Sequence, residues 1–449
     1  MPQFKDFSEE STSTTFSEGL MRSLVLEDLL DKQLAHDILK RTLSVGSKQS
    51  TSSGLAERMN GVRFDSVDHL GLRDIGRGSC GSVFEIPGSA KAIKKGANRQ
   101  AIFRDFHLTG RAYNSYLIWA GLFRDSFPER RTPRVPRAHT FHSPEAREFW
   151  TANLSRFPEG DQTIAAVFYV ERILPVPALT REALIRQFYQ EDRHIQHDVF
   201  SNPPDKDCLV RVYFGANNPN TTLYNSTDTL RNFPLYLDQA KMIGLDVNAF
   251  AEEMAMGLAI LHWQAQVDAQ DTEFVIGSST SKPFSLEYLG DEPTEIPVSS
   301  GDDFTQRETH LWMLDYDKSS NINLDAEDPS SEVVRKCLVA VTGNDPYFPH
   351  PRLDPDLWRR FRKAYLKASE IIIRTRQQRL KRHVAKLPAM FLEQWEQWGD
   401  EDMEADGFDP FERNSRDEEE SESEADDSDE DDEGNSEDEE DDPEEDDEE

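Results

Sequence analysis

Apolar residues recur along this 449-residue chain with two different periods. Near the start, Leu20, Leu24, Leu29, Leu30, Leu34 and Ile38 fall close to a 3.6-residue repeat and predict a docking helix over about 18–43. After the polar linker SVGSKQSTSSG, short β-type runs surround the glycine-rich stretch IGRGSCGSVFE at 75–85 and continue into AKAIKK. A helical stretch follows at about 98–121. TIAAVFYVERIL then reads as a buried strand ending at Pro175. CLVRVYFG and NFPLYL are strand-like, the second alternatively a loop leading into a helix. Between about 236 and 263, Ala240, Ile243, Leu245, Phe250, Met254, Leu258 and Leu261 suit helices packed in a core. EFVIG and HLWMLDY predict two more strands around a Ser/Pro/Glu-rich insertion at 278–308, and helices resume near 330 and over 355–398. Strands early and helices late predict an α+β body rather than alternating βαβ units.

Charge divides the chain unevenly. The net charge is −36, yet the last 49 residues hold 31 acidic groups against two basic ones, leaving only about −7 for everything before them. A segment with so few apolar groups cannot offset its ordering entropy, so 399–449 is expected to be a disordered acidic tail. Three cysteines more than 120 residues apart argue against a disulfide framework and for a reducing compartment, the cytoplasm or nucleus. No paired CxxC or HxxxH spacing supports zinc, so none is expected. The polar opening MPQFKDFSEESTS predicts no secretory signal, and runs such as IAAVFYV are too short to span a bilayer, so no membrane role is expected.

Three stretches carry candidate chemistry. Glycines at 76, 78 and 81 would let backbone N–H groups approach phosphate oxygens, although the same pattern also suits a hairpin whose glycines serve turns. A dinucleotide loop should open a helix, and SVFE leads into a strand instead. Lys94, in Ala92-Ile93-Lys94, is an amine placed to reach the same phosphates. In LHWQAQVDAQDTEFVIG, Asp268 and Glu273 stand five apart between a helix and an apolar strand, while His262 and Trp263 are expected to pack at the helix end. In LWMLDYDKS, Asp315 and Asp317 end a strand, where hard oxygen ligands can bind Mg²⁺.

In this order the pieces GxGxxGxV, AIK, a helix ending in LH, D-x-x-x-x-E-F-V-I and L-D-Y-D resemble the protein kinase and aminoglycoside phosphotransferase superfamily. CLVRVYFG, LWMLDYD and NDPYFPHPR further resemble, over about 60–385, a fungal family of unknown function often labelled "zinc finger protein". The resemblance implies a two-lobed fold: an N-terminal segment 1–60, a small β-rich lobe 61–175, a helical lobe 176–398 and the tail. It implies that Gly76, Gly78, Gly81 and Val83 cover a bound ATP, that Lys94 contacts its phosphates, and that Glu171 follows the hinge strand. Asp268 would orient or deprotonate an acceptor hydroxyl on a protein or small molecule, and Glu273, Asp315 and Asp317 would hold Mg²⁺. The alternatives are a kinase-shaped binding module without turnover, or a nuclear protein whose acidic tail holds a basic partner.

The sequence departs from the superfamily at several points. Glu273 stands where the superfamily has Asn, Asp315-Tyr316-Asp317 replaces Asp-Phe-Gly, and the helix after Lys94 offers no Glu, Asp105 being the nearest carboxylate. Two carboxylates about 4 Å apart repel by roughly 4 kcal/mol at an effective dielectric of 20, so four acids around one pocket predict that nucleotide binding needs Mg²⁺ or Mn²⁺. Residues 359–386 carry eleven Lys/Arg against one Glu, which suits a localisation signal, a nucleic-acid surface or a solvated basic helix face.

Overall fold

The computed structural model describes residues 33–50, 71–220, 222–280, 306–324, 330–375 and 382–406, with Ile296 and Phe304. The chain divides into two units, Met1–Asp400 and Glu401–Glu449. Most of the acidic tail, and the predicted helix before residue 33, lie outside the described residues. The described part is mixed α+β, with two five-stranded sheets and ten α-helices.

The first sheet is built from β2 (Arg73–Gly78), β3 (Gly81–Glu85), β4 (Lys91–Gly96), β5 (Ala138–His142) and β6 (Ala166–Glu171), in the order β2-β3-β4-β6-β5 and antiparallel throughout. Side chains alternate along β6, which explains how both faces are filled. Ala166 and Phe168 face the long helix α2 (Arg99–Leu122) through Ile102, while Val167 and Tyr169 join Phe84, Ile93, Phe149 and Trp150 on the other face. Phe149 and Trp150 belong to α3 (Arg147–Asn153). Asn98 starts α2 by accepting from the N–H groups of Gln100 and Ala101, a side-chain cap that fixes where the helix leaves β4.

The second sheet runs β1-β10-β9-β7-β8, formed by β1 (Lys48–Ser50), β7 (Val210–Tyr213), β8 (Phe233–Tyr236), β9 (Glu273–Thr280) and β10 (Gln306–Leu314). The expected insertion at 278–308 is trimmed at both ends: β9 and β10 pair through Arg307 and Thr280. Helix α1 (Ala35–Leu43) packs on α4 (Ala178–Phe188), and α5 (Arg193–Ser201) follows; α3, α4, α5 and β5 were not anticipated.

NFPLYL is a strand, β8, rather than a loop, and it runs straight into α6 (Leu237–Met242). The helical stretch expected over 236–263 is broken after α6, where Gly244 takes a left-handed φ of 70° and Asp246 caps α7 (Val247–Ala259) by accepting from Ala249 N–H. A π-helical turn at Ile260–Ala265 ends α7 and buries His262 and Trp263 completely. The last helical region likewise divides. After α8 (Ser330–Thr342), α9 (Pro355–Thr375) packs along α7, and α10 (Leu387–Asp406) is a separate helix. Trp358, Phe361, Tyr365, Ala368 and Ile372 of α9 face the core, so its basic residues occupy the outer face.

Candidate functional site

A cleft of about 410 Å³ lies between the two sheets, roofed by the β2–β3 hairpin. Part of its lining is apolar, with Val83, Ala92, Phe168, Val170 and Leu209, and part is charged.

The glycines under this roof differ in what they do. A Cβ at Gly81 would stand 2.3 Å from the Lys95 carbonyl oxygen, so close strand pairing alone demands glycine there. A Cβ at Gly78 would meet nothing, and one at Gly76 only ordinary contact with Val83. Hairpin packing therefore explains Gly81 and leaves Gly76 and Gly78 unexplained.

Lys94 sits on β4, and its ammonium is held on three sides. Asp105 from α2 is 2.7 Å away, Asp315 at the end of β10 is 3.0 Å, and Asp317 is 3.5 Å. Thr109, one turn along α2, donates to the second Asp105 oxygen at 3.0 Å and fixes it. Burial alone would lower the Lys94 amine, but Asp105 foremost, with Asp315 and Asp317, holds it well above its ordinary value. Burial pushes Asp315 up to about 6 against the pull of Lys94. Asp315 has a φ of 63°, an unfavourable conformation for a non-glycine residue and one that aims its carboxylate at the lysine. Cys80, at the hairpin tip, stands beside Asp317, and burial and that carboxylate both raise its thiol.

A second cluster forms around Arg211, which β7 carries between β8 and β9. Its guanidinium donates to Glu273 at 2.5 Å and lies 3.4 Å from Asp345, which also accepts from the Tyr213 hydroxyl at 2.8 Å. Burial pushes Glu273 up to about 7 even with Arg211 beside it.

Asp268 and Glu171 are positioned differently from expectation. Asp268 is buried and does not line the cleft; its carboxylate accepts from Ser320 N–H at 2.9 Å, from the Ser320 hydroxyl and from Gln270 N–H at 3.2 Å. Asp271, three residues on, lines the cleft instead and pairs with Lys318 at 3.1 Å. The loop that carries them has left-handed φ at Gln266, Ala269 and Asp271, so spacing along the sequence does not show which acid faces outward. Glu171 lines the cleft at the end of β6, but its carboxylate accepts from Arg134 at 2.9 Å and Arg137 N–H at 3.2 Å. Next to it, Arg172 closes a buried ring with Glu85 and Asp207, which Arg73 completes at 2.8 Å and 2.5 Å.

As a magnesium site these residues do not fit. Lys94 occupies the point on which Asp315 and Asp317 converge, Arg211 holds Glu273, and Ser320 holds Asp268. Among the described residues no group of three His, Cys, Asp or Glu side chains could hold a metal ion. The repulsion expected among the acids is real, but the compensating cations are side chains of the chain itself.

Arg211, Asp271, Asp345 and Lys318 were not singled out from sequence. Arg211 left one trace, a charged residue inside the apolar strand CLVRVYFG. Among the described residues no helix is long and apolar enough to cross a membrane.

Residues 311–377, from β10 through α9, match a family of unknown function whose description is "Zinc finger protein". That description overturns the expectation that zinc plays no part. No curated protein and no solved structure matches the chain.

Proposed function

We propose that this chain is a two-lobed, protein-kinase-like module that binds a nucleotide, with the base in the apolar part of the cleft and the phosphate side toward Lys94. The observation that carries the reading is the Lys94–Asp105–Asp315 cluster, which joins a strand and the helix after it to a strand end more than 200 residues further on, beneath a glycine hairpin. The sheet order, with α2 packed across β4, β5 and β6, supports it, as do two glycines that packing does not require. The size of the cleft suits a small ligand largely enclosed by protein. Three unpaired cysteines fit a reducing compartment, the cytoplasm or nucleus.

The test is a thermal-shift panel of nucleosides and nucleotides, with Val83→Phe filling the cleft as control. A ligand at about 100 times its dissociation constant should stabilise the wild type by ~2.7 kcal/mol and leave the variant unshifted. Absence of any shift across the panel would end this reading.

Phosphotransfer to a hydroxyl from a bound nucleoside triphosphate, the diphosphate leaving, is a second reading, favoured by Asp271 in the cleft lining, where Lys318 orients a carboxylate that keeps 36% of its side chain exposed. Incorporation of labelled phosphate that disappears in Asp271→Asn but persists in Asp268→Asn would support it.

A further inference from the structure

Five lysine and arginine side chains line the cleft, and each already has a carboxylate partner within this chain. Lys94 has three, Arg211 two and Lys318 one. Arg172 belongs to the buried ring, and Arg77 reaches Asp161 at 2.6 Å and Asp74. Seven carboxylates line the same space, two more than the cations. One hairpin N–H is engaged as well, that of Gly76, which donates to Asp74 at 3.0 Å. A divalent ion would reverse this balance, but Lys94 and Arg211 already engage its would-be ligands. The apolar end of the cleft, around Val83, Ala92 and Phe168, carries no such charge.

We propose, resting on the nucleotide reading, that the cleft selects nucleosides and nucleoside monophosphates over polyphosphates, with Arg211 serving as the fixed counter-ion of Glu273 in place of a metal. Each added phosphate charge enters a lining with surplus negative charge and no unpaired lysine or arginine to meet it, at an effective dielectric well below that of water. Recognition then comes from the base and sugar in the apolar slot, which does not change along the series.

Isothermal titration of the full chain with adenosine, AMP and ATP, each with magnesium and with EDTA, tests this. ATP should bind about tenfold more weakly than adenosine, a difference of about 1.4 kcal/mol, and magnesium should not rescue it. Glu273→Gln keeps the side-chain shape while removing the charge that holds Arg211, so ATP affinity should rise several-fold with adenosine unchanged. ATP binding as tightly as adenosine in either buffer, or a Glu273→Gln protein with unaltered ATP affinity, overturns the proposal while leaving the nucleotide reading intact. If adenosine, AMP and ATP all fail to bind, both fall together.

Discussion

The cleft and the groove beside α9 are both lined by arginine, lysine and acid, yet they are built in opposite ways. The groove is the larger, about 720 Å³; Arg130 and Arg360 share Glu252, and Arg359 pairs with Asp356 three residues earlier. Arg359 and Asp356 keep 74% and 83% of their side chains exposed, so water screens them. The cleft is smaller, and Lys94 and Asp105 keep only 12% and 3%. Removing one partner there leaves a buried charge unanswered. The groove has the larger volume; desolvated charge pairing singles out the cleft.

The contrast breaks most readily at Lys94. Lys94→Ala should destabilise the fold by about 3–5 kcal/mol, because Asp105 and Asp317 are left buried without their cation. Urea denaturation showing a loss below about 1 kcal/mol would mean that the cleft is as wet as the groove.

A pH scan probes the link between the two regions. His262 is hydrogen-bonded to the Tyr365 hydroxyl on α9 at 2.7 Å and to the Asp268 carbonyl at 3.3 Å, so it joins the groove helix to the cleft turn. Burial lowers its folded value to about 3, from an ordinary 6.5. The unfolded chain therefore takes the proton first. The stability this group contributes is fully present above about 6.5 and is lost as pH falls toward 3, by about 3 kcal/mol on reaching about pH 4. His262→Asn should flatten that part of the stability profile; an unchanged slope would show that other groups set it.

Next in size is the glycine pair. Gly81→Ala should destabilise by about 1–3 kcal/mol, as its methyl would overlap the Lys95 carbonyl, whereas Gly78→Ala should stay within about 0.5 kcal/mol. Equal losses in thermal melts would show that hairpin packing demands both glycines. Smallest of all is Arg359→Ala on the groove, expected to change stability by no more than about 0.5 kcal/mol. A larger loss would show that this wall carries structure after all.

Much of the cleft was legible because its parts are local. The glycine run, the strand bearing Lys94 and the helix bearing Asp105 are consecutive in sequence, and short β-type or continuous apolar runs identified β3, β4 and β6. Asp271 was not legible, because three left-handed residues reverse the chain inside one short turn and no periodicity survives there. Arg211 meets Glu273 only through the pairing of β7 with β9, a long-range register that spacing does not encode. The break between α6 and α7 did leave a signal in Gly244 and Asp246, a stop followed by a cap, that apolar periodicity alone overlooked. The exposed basic face of α9 follows from its apolar stripe, whereas what that face meets does not.

The ring of Arg73, Arg172, Glu85 and Asp207 also bears on motion. It bolts the first sheet to the segment just before β7 with two guanidiniums and two desolvated carboxylates, directly behind the cleft. Wide hinge-like gaping at that point would rupture several such pairs at once. That ring makes this wall of the cleft stiff.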